Sequence, residues 1–447
     1  MWNRGHSLEL EIEKLVYGGD GLARLPADER GRGKTVFLPY VIPGERVDAT
    51  VIESRPGFQR ARLKQILAPS ADRVVPQCQY FGRCGGCQYQ HIDYRAQLRF
   101  KAEILRETLR RTAKLELDRE IRLHSSQPWS YRNRTRIRVR HDPAFALAYF
   151  HSNSHKLLPV ESCPISSRLI NEAFGAVGTL GDAGRVPASV HGMQFFANQD
   201  DSQLLVEVLV LPQTPEDECQ PFATALMDTL KAVAGVVVFA TSALEDETRQ
   251  LAPLTSVHGE SFTATGDDRL VYQIVGYNYR VTGGSFFQTN RFLIDELVEV
   301  AVGDTKGDIA LDLYAGVGLF TLPLAANFRE VTAVEASPQA VADLKHNAPA
   351  NVNVVRRTTE SFLQQTAGRV KPELILLDPP RAGVGDKATM ALCRTSASRV
   401  TYVSCDPATL SRDLRLLIES GFEVNQAHLF DLFPQTAHIE TVLHLAR

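Results

Sequence analysis

The last third of the chain alternates short apolar runs with stretches of helical period, and that alternation restricts the fold more than any other feature. "IALDLYAGVGLFTLPLA" (309–325) reads as an apolar strand, a glycine-bearing turn and the start of a helix, and "VTAVEAS" (331–337) reads as a second strand ending in acid. "VNVVRRTTE", "PELILLDPPRAG" and "SRVTYVSCDPATL" follow, with helical stretches between them. Strands alternating with helices predict an α/β fold built on a doubly wound parallel sheet. Ligands of such sheets bind outside the carboxyl ends of the strands, so residues at those ends are the candidates for chemistry.

Gly316 and Gly318 let the first loop pass close to a ligand. Asp312 precedes that loop and Glu335 ends the next strand 23 residues later, about the interval at which an acid meets ribose hydroxyls. Thr321 stands where a dinucleotide fingerprint needs its third glycine, which demotes NAD. The D-x-x-x-G-x-G pattern instead resembles that of S-adenosylmethionine methyltransferases of the Rossmann-like class I fold.

Asp378 of "LLDPPRAG" and Cys405 of "YVSCDPATL" both end successive strands of this sheet. A buried cysteine is ordinarily a small hydrophobe. Beside a methyl donor and a carboxylate it suggests a different chemistry, because carbon 5 of a pyrimidine is a poor nucleophile until a thiolate adds to carbon 6. A base must then remove the carbon 5 proton so that the thiolate can leave. "DLFPQTAHIETVLHL" reads as a strand pair in which His438 and Glu440 point the same way, and spacing alone does not choose between them.

The front of the molecule has a different character. Residues 1–150 hold 27 Lys and Arg against 17 Asp and Glu, whereas the whole chain of 447 residues has a net charge of −3. Residues 8–67 read as short strands between Gly/Pro-rich turns, the pattern of a small all-β barrel. "CQYFGRCGGCQYQ" then brings Cys78, Cys84 and Cys87 together with the spacing C-x5-C-x2-C. Seven cysteines without a secretory signal argue for metal or catalysis over disulfides. Cys163 of "ESCPIS" is the best fourth ligand, and four thiolates suit a [4Fe–4S] cluster, with structural zinc as the rival. Residues 93–115 predict a long amphipathic helix. "YRNRTRIRVR" places Arg132, Arg134, Arg136, Arg138 and Arg140 on one face of a strand, an expected track for RNA phosphates.

Taken together, "CQYFGRCGGCQYQ", "YRNR", "CPI", "SFFQTN", "LDLYAGVGLF", "LDPPRAG", "VSCDPATLSRDL" and "FPQTAHIETV" resemble the RNA uracil-5-methyltransferase family. Within it, the iron–sulfur 23S rRNA (uracil-5-)-methyltransferases with a TRAM-type barrel are most similar. The resemblance covers nearly the whole chain. It implies Cys405 as nucleophile and Glu440 as general base, and it implies Gln288, Tyr314, Glu335 and Asp378 as S-adenosylmethionine contacts. Cys78, Cys84, Cys87 and Cys163 become ligands of a [4Fe–4S] cluster, and Phe286 with Gln288 faces a flipped uracil. Ala315 replaces a cysteine common in relatives, and Leu319 replaces a polar cofactor contact found in some of them.

The expected organisation is a TRAM-type, OB-like barrel over 1–72 and a central α+β domain with the cluster and the arginine strand over 73–265. The methyltransferase domain follows over 266–447. The expected reaction is methyl transfer from S-adenosyl-L-methionine to carbon 5 of a uridine in RNA, with 23S rRNA favoured and a tRNA T-loop uridine as the alternative. A non-catalytic RNA-binding iron–sulfur protein is the alternative from another class. No apolar run approaches the ~18 residues of a membrane span, which leads to the expectation of a cytoplasmic protein with RNA as its partner, no membrane and no obligate protein partner.

Overall fold

The computed structural model describes residues 5–25, 33–117, 119–241, 261–366 and 369–447. Six strands form the front sheet: β1 (Ser7–Glu11), β2 (Lys14–Leu15), β3 (Asp20–Arg24), β4 (Thr35–Pro39), β5 (Arg46–Arg55) and β6 (Phe58–Ala68), in the order β1-β5-β6-β4-β3-β2. Alternation decides which side is buried. Val47, Ala49 and Val51 of β5 point inward with Leu8, Leu10, Val36 and Leu38, closing one small apolar core.

Helix α1 (Tyr94–Thr108) follows, started by Asp93, whose side chain accepts from the Arg95 N–H. It continues as a π-helical turn, Leu109–Ala113, that ends on Lys114 in the left-handed conformation. Strand β7 (Ile121–His124) comes next and pairs in parallel with a strand more than 300 residues further on. The chain then builds a second sheet from β8 (Arg134–Arg140), β9 (Ala146–Phe150), β10 (Leu157–Pro159), β11 (Val190–Ala197), β12 (Leu204–Val210), β13 (Val233–Ala240) and β14 (Ser261–Gly266). Its order is β10-β9-β8-β11-β12-β13-β14, and α2 (Arg168–Asp182) and α3 (Gln220–Thr229) pack on it.

The arginine strand differs from its expectation. Arg134 is buried, and its Nη2 donates to Glu207 Oε1 of β12 at 3.0 Å while its Nη1 donates to the Ser285 carbonyl. The missing acid comes from two strands away, so the five arginines do not make one solvent-facing phosphate track. The desolvation of two charges explains the arrangement, since an inward arginine is tolerated only with a matched partner.

A hairpin of β15 (Arg269–Ile274) and β16 (Tyr277–Thr282) and helix α4 (Ile294–Val302) lead into the last sheet. Its strands are β17 (Gly307–Leu313), β18 (Phe328–Glu335), β19 (Val352–Arg356), β20 (Leu374–Leu377), β21 (Arg399–Ser404), β22 (Glu423–Phe430) and β23 (Glu440–Ala446). The order is β19-β18-β17-β20-β21-β23-β22-β7, parallel from β19 to β21, with β23 antiparallel to both its neighbours. Helices α5 (Thr321–Asn327), α6 (Pro338–Asn347), α7 (Thr359–Thr366), α8 (Asp386–Cys393) and α9 (Pro407–Glu419) connect them. The strand order reverses at β17, which puts the ligand crevice at the carboxyl ends of β17, β18 and β20. No helix among the described residues is long and apolar enough to cross a membrane.

Candidate active site

Asp378 follows the last residue of β20 and Cys405 the last residue of β21, and these strands are parallel neighbours with Leu377 opposite Tyr402. Glu440 opens β23, whose Thr441 lies opposite Ser404. A thiol and two carboxylates therefore meet at one end of three adjacent strands. His438 falls in the connection 431–439 instead of in a strand, so alternation is not what orients it beside Glu440. The expected strand pair exists, but its strands are 423–430 and 440–446.

The electrostatics of this end follow from burial. Burial pushes the Asp378 carboxyl up to about 7. Burial, reinforced by the Asp378 charge, raises Glu440 well above the usual carboxylate range, with Arg381 opposing. The Cys405 thiol is raised by burial first and then by Glu440 and Asp378; the one lowering influence is Arg381. Arg381 also lies 3.4 Å from His438 Nε2. Burial and then Arg381 pull His438 down to about 3, so its imidazole is neutral.

The glycine loop has room for a ligand. Tyr314, Gly316 and Gly318 all take positive φ, and a Cβ added to Gly316 meets nothing within 4 Å. Glu335 closes the loop from the neighbouring strand: its Oε2 accepts from Gly316 N at 2.9 Å and its Oε1 from Ala336 N and Ser337 N at 2.7 Å each. Asp312 is buried, accepts from Thr321 Oγ1 on one oxygen and has no partner for the other. Gln288 Nε2 donates to Asp378 Oδ2 at 3.4 Å, and Phe286 beside it is exposed. Tyr314, Glu335 and Asp378 thus stand at the carboxyl ends of three adjacent parallel strands, and Gln288 reaches Asp378, beside a glycine loop that leaves room for a ligand. Leu319 is buried in the apolar core and its carbonyl accepts from Tyr279 Oη, while Ala315 packs with Ala333 and Leu344.

The four amino-terminal cysteines are neighbours. Burial raises Cys78, Cys84 and Cys87, the last to about 12, and the Cys163 charge adds to each rise. Gly86 N lies 3.4 Å from Cys84 Sγ, and the Tyr80 and Phe81 N–H groups favour a thiolate at Cys78. Among the described residues, no three His, Cys, Asp or Glu side chains form a group that holds a metal ion.

Several residues went unread in the sequence. Tyr17, in the turn after β2, donates to Asp406 Oδ2 at 3.0 Å, and Asp406 is the N-cap of α9 directly after Cys405. Gln435, at φ 69°, is gripped by the cysteine loop: its carbonyl accepts from Gln88 N and Tyr89 N at 3.1 and 2.9 Å. Gln97 of α1 holds its side chain and its N–H, each at 3.0 Å. Lys101 Nζ donates to Asp431 Oδ1 at 2.6 Å in a fully buried pair. The segment carrying His438 and leading to Glu440 is therefore fixed by α1 and by the cysteine loop. A glutamine within "FPQTAHIE" carries no local sign of such a role.

A parallel sheet that reverses at β17, with Asp312 next to last in β17 and Glu335 last in β18 around an open glycine loop, is the arrangement of S-adenosylmethionine-dependent methyltransferases. The family model for tRNA (uracil-5-)-methyltransferases matches residues 93–447, and the model for the TRAM domain matches residues 2–64. The chain belongs to the uracil-5 RNA methyltransferase family and is an S-adenosylmethionine-dependent enzyme with an N-terminal TRAM domain. The 23S rRNA (uracil(1939)-C(5))-methyltransferase RlmD of Chromohalobacter salexigens is 33% identical over 98% of this chain and 89% of its own. An RNA methyltransferase of Aquifex aeolicus is 30% identical over 97% of both chains. The tRNA (uracil-54, C5)-methyltransferase of Pyrococcus abyssi, solved with S-adenosyl-L-homocysteine, has the same fold, with a TM-score of 0.74 over 98% of this chain and all of its own at 20% identity.

Proposed function

We propose that the enzyme methylates carbon 5 of a uridine in 23S rRNA through a covalent adduct on Cys405, with Glu440 as the base. The observation that carries this reading is the meeting of Cys405, Glu440 and Asp378 at the ends of three adjacent strands beside the glycine loop. S-adenosylmethionine, held by Gln288, Tyr314, Glu335 and Asp378, supplies the methyl group. The Cys405 thiolate adds to carbon 6 and the electron pair moves to carbon 5, which bonds to the methyl carbon as that carbon's bond to the sulfonium sulfur breaks, its electron pair staying on sulfur in the departing S-adenosylhomocysteine. The Glu440 carboxylate then takes the carbon 5 proton, the ring double bond re-forms and the thiolate leaves. Burial, then Glu440 and Asp378, hold Cys405 as a thiol that must give up its proton to form the adduct, and Arg381 opposes that rise.

Glu440 is favoured over His438 as base because a buried imidazole held near pKa 3 accepts a proton poorly at neutral pH, whereas a raised carboxylate accepts it well. The name of the Chromohalobacter relative favours 23S rRNA. The family description and the Pyrococcus enzyme favour a tRNA T-loop uridine as the second reading. Cys78, Cys84, Cys87 and Cys163 hold a [4Fe–4S] cluster in this proposal, supported by the backbone N–H groups near the Cys84 and Cys78 sulfurs. Units at 1–72, 73–265 and 266–447 and a cytoplasmic location belong to the same proposal.

The test mixes protein and S-adenosylmethionine with 5-fluorouridine-substituted 23S rRNA fragments or tRNA. Fluorine does not leave as a proton does, so a denaturation-resistant adduct is expected with one RNA and is lost in Cys405→Ala. Full methyl transfer by Cys405→Ala overturns the mechanism. Broad visible absorbance of anaerobically purified protein is expected from the cluster, and zinc without that absorbance overturns it.

A further inference from the structure

A second charged feature lies away from the glycine loop. Between the TRAM barrel and the end of α1 runs a cleft of about 440 Å³ lined by Lys14, Arg24, Glu107, Arg110, Arg111 and Lys114. It continues past Arg106 and Glu116 into a neighbouring hollow of about 330 Å³. Lys14 and Arg24 come from β2 and β3, and Arg110, Arg111 and Lys114 come from the π-helical turn and its left-handed cap.

The acid lining the larger cleft, Glu107, is already engaged, whereas Glu103 and Glu116 line only the smaller hollow. Lys14 and Arg111 both bind Glu107, and Arg24 binds Glu13 at 3.0 Å. Among the described residues no carboxylate pairs with Arg110 or Lys114, and both are exposed. Arg110 and Lys114 therefore add two unneutralised cations to a cleft that already holds Lys14, Arg24 and Arg111, a balance that favours an anion beside them. The π turn is a second observation. Such turns are rare and concentrate at functional sites. This one buries Leu109 and Ala113 while it turns two consecutive arginines outward.

The cleft is also close to the chemistry. Leu109 shares its core with Leu410 and Leu414 of α9, the helix that starts one residue after Asp406. Tyr17, three residues after Lys14, donates to Asp406; three residues span at most about 10 Å.

We infer that this cleft binds consecutive phosphates of the RNA strand flanking the target uridine, and so joins barrel and α1 around the substrate. The inference rests on the RNA methyltransferase reading and deepens it. Phosphates suit the cleft because its cations come from both walls, and guanidinium groups match phosphate geometry. Recognition of this kind is independent of sequence and sensitive to salt.

The test is the double variant Arg110→Glu, Lys114→Glu, compared with wild type for binding to 23S rRNA fragments and to tRNA, over a series of salt concentrations. Both side chains are exposed, and an unchanged melting temperature and S-adenosylmethionine affinity check the fold. The expected result is RNA binding weakened about tenfold or more, a log–log salt slope reduced by roughly 1 to 2, and a KM for RNA that rises far more than kcat falls. Unchanged RNA affinity and salt slope overturn the inference. Poly-glutamate bound by wild type and lost in the variant, with RNA binding intact, also overturns it in favour of an acidic protein partner. If wild type binds RNA through the cleft but methylates none, the proposed reaction fails while the cleft stands.

Discussion

The hydroxyl of Tyr17 donates to Asp406 Oδ2 across 3.0 Å, which ties a turn of the TRAM barrel to the residue after Cys405. Asp406 is already at work as a cap, since its Oδ1 accepts from Ala408 N and Thr409 N at 2.9 Å each. Burial and then Asp406 raise the Tyr17 pKa, so the phenol stays a donor at all ordinary pH. Tyr17→Phe removes a bond to a charged acceptor worth about 1.5–3 kcal/mol. We expect kcat to fall severalfold with S-adenosylmethionine affinity unchanged. Steady-state kinetics alongside a ligand titration checks this, and an unaltered kcat removes the barrel from any part in positioning Cys405.

The grip on Gln435 has a similar consequence for the other side of the site. Gln97 serves both ends of Gln435 and also donates to the Tyr89 and Ile92 carbonyls. Gln97→Leu takes away the partner of Gln435 Oε1 and N–H and of the Ile92 carbonyl, at a cost of about 1–3 kcal/mol, while the Tyr89 carbonyl keeps its bond from Ile92 N. The expected outcome is a lower melting temperature with kcat reduced more than KM for S-adenosylmethionine is raised, because the loosened segment leads to Glu440 and not to the glycine loop.

Lys101 and Asp431 are both fully buried, and Lys101 Nζ also donates to the Phe433 carbonyl at 3.1 Å. Lys101→Met strands a buried carboxylate, and about 3–5 kcal/mol of destabilisation is expected. Lys101→Met with Asp431→Leu is expected to recover most of it, since no charge is then left unpaired. Denaturant melts of the single and double variants measure the difference.

Burial raises Asp312 to about 7, with the Thr321 bond opposing and the Asp378 and Glu335 charges adding to the rise. A carboxyl whose folded pKa is raised contributes stability that is complete below its unfolded value and is lost as pH climbs through the folded one. Stability is therefore expected to fall between about pH 4 and pH 7, by up to about 4 kcal/mol for this group alone. Asp312→Asn should flatten that stretch of a stability–pH curve measured by denaturant unfolding.

Much of this arrangement was legible in the sequence because its signals are local. The apolar runs at 309–313, 331–335, 374–377 and 399–404 are strands, and Asp378 and Cys405 end two that are adjacent. What escaped depends on partners distant along the chain. β7 is four residues long with a single buried position, and it becomes a strand because it adds to β22. Arg134 reads as a surface cation until Glu207, 73 residues away, is known to meet it. His438 lies in a loop fixed by Gln88, Gln97 and Lys101, which an alternation rule does not describe.

The choice between His438 and Glu440 leads to the sharpest expectation. If Glu440 takes the carbon 5 proton, Glu440→Gln still allows addition of Cys405 and methyl transfer but not elimination. A denaturation-resistant, methyl-labelled adduct with ordinary uridine RNA is expected, together with a turnover loss of about 10²- to 10⁴-fold. His438→Asn should give no such adduct, since its imidazole, held near pKa 3 by burial and Arg381, has little affinity for a proton at pH 7. Gel analysis with radiolabelled S-adenosylmethionine separates the cases. An adduct from His438→Asn and none from Glu440→Gln would reverse the assignment, because elimination waits on whichever group accepts the proton.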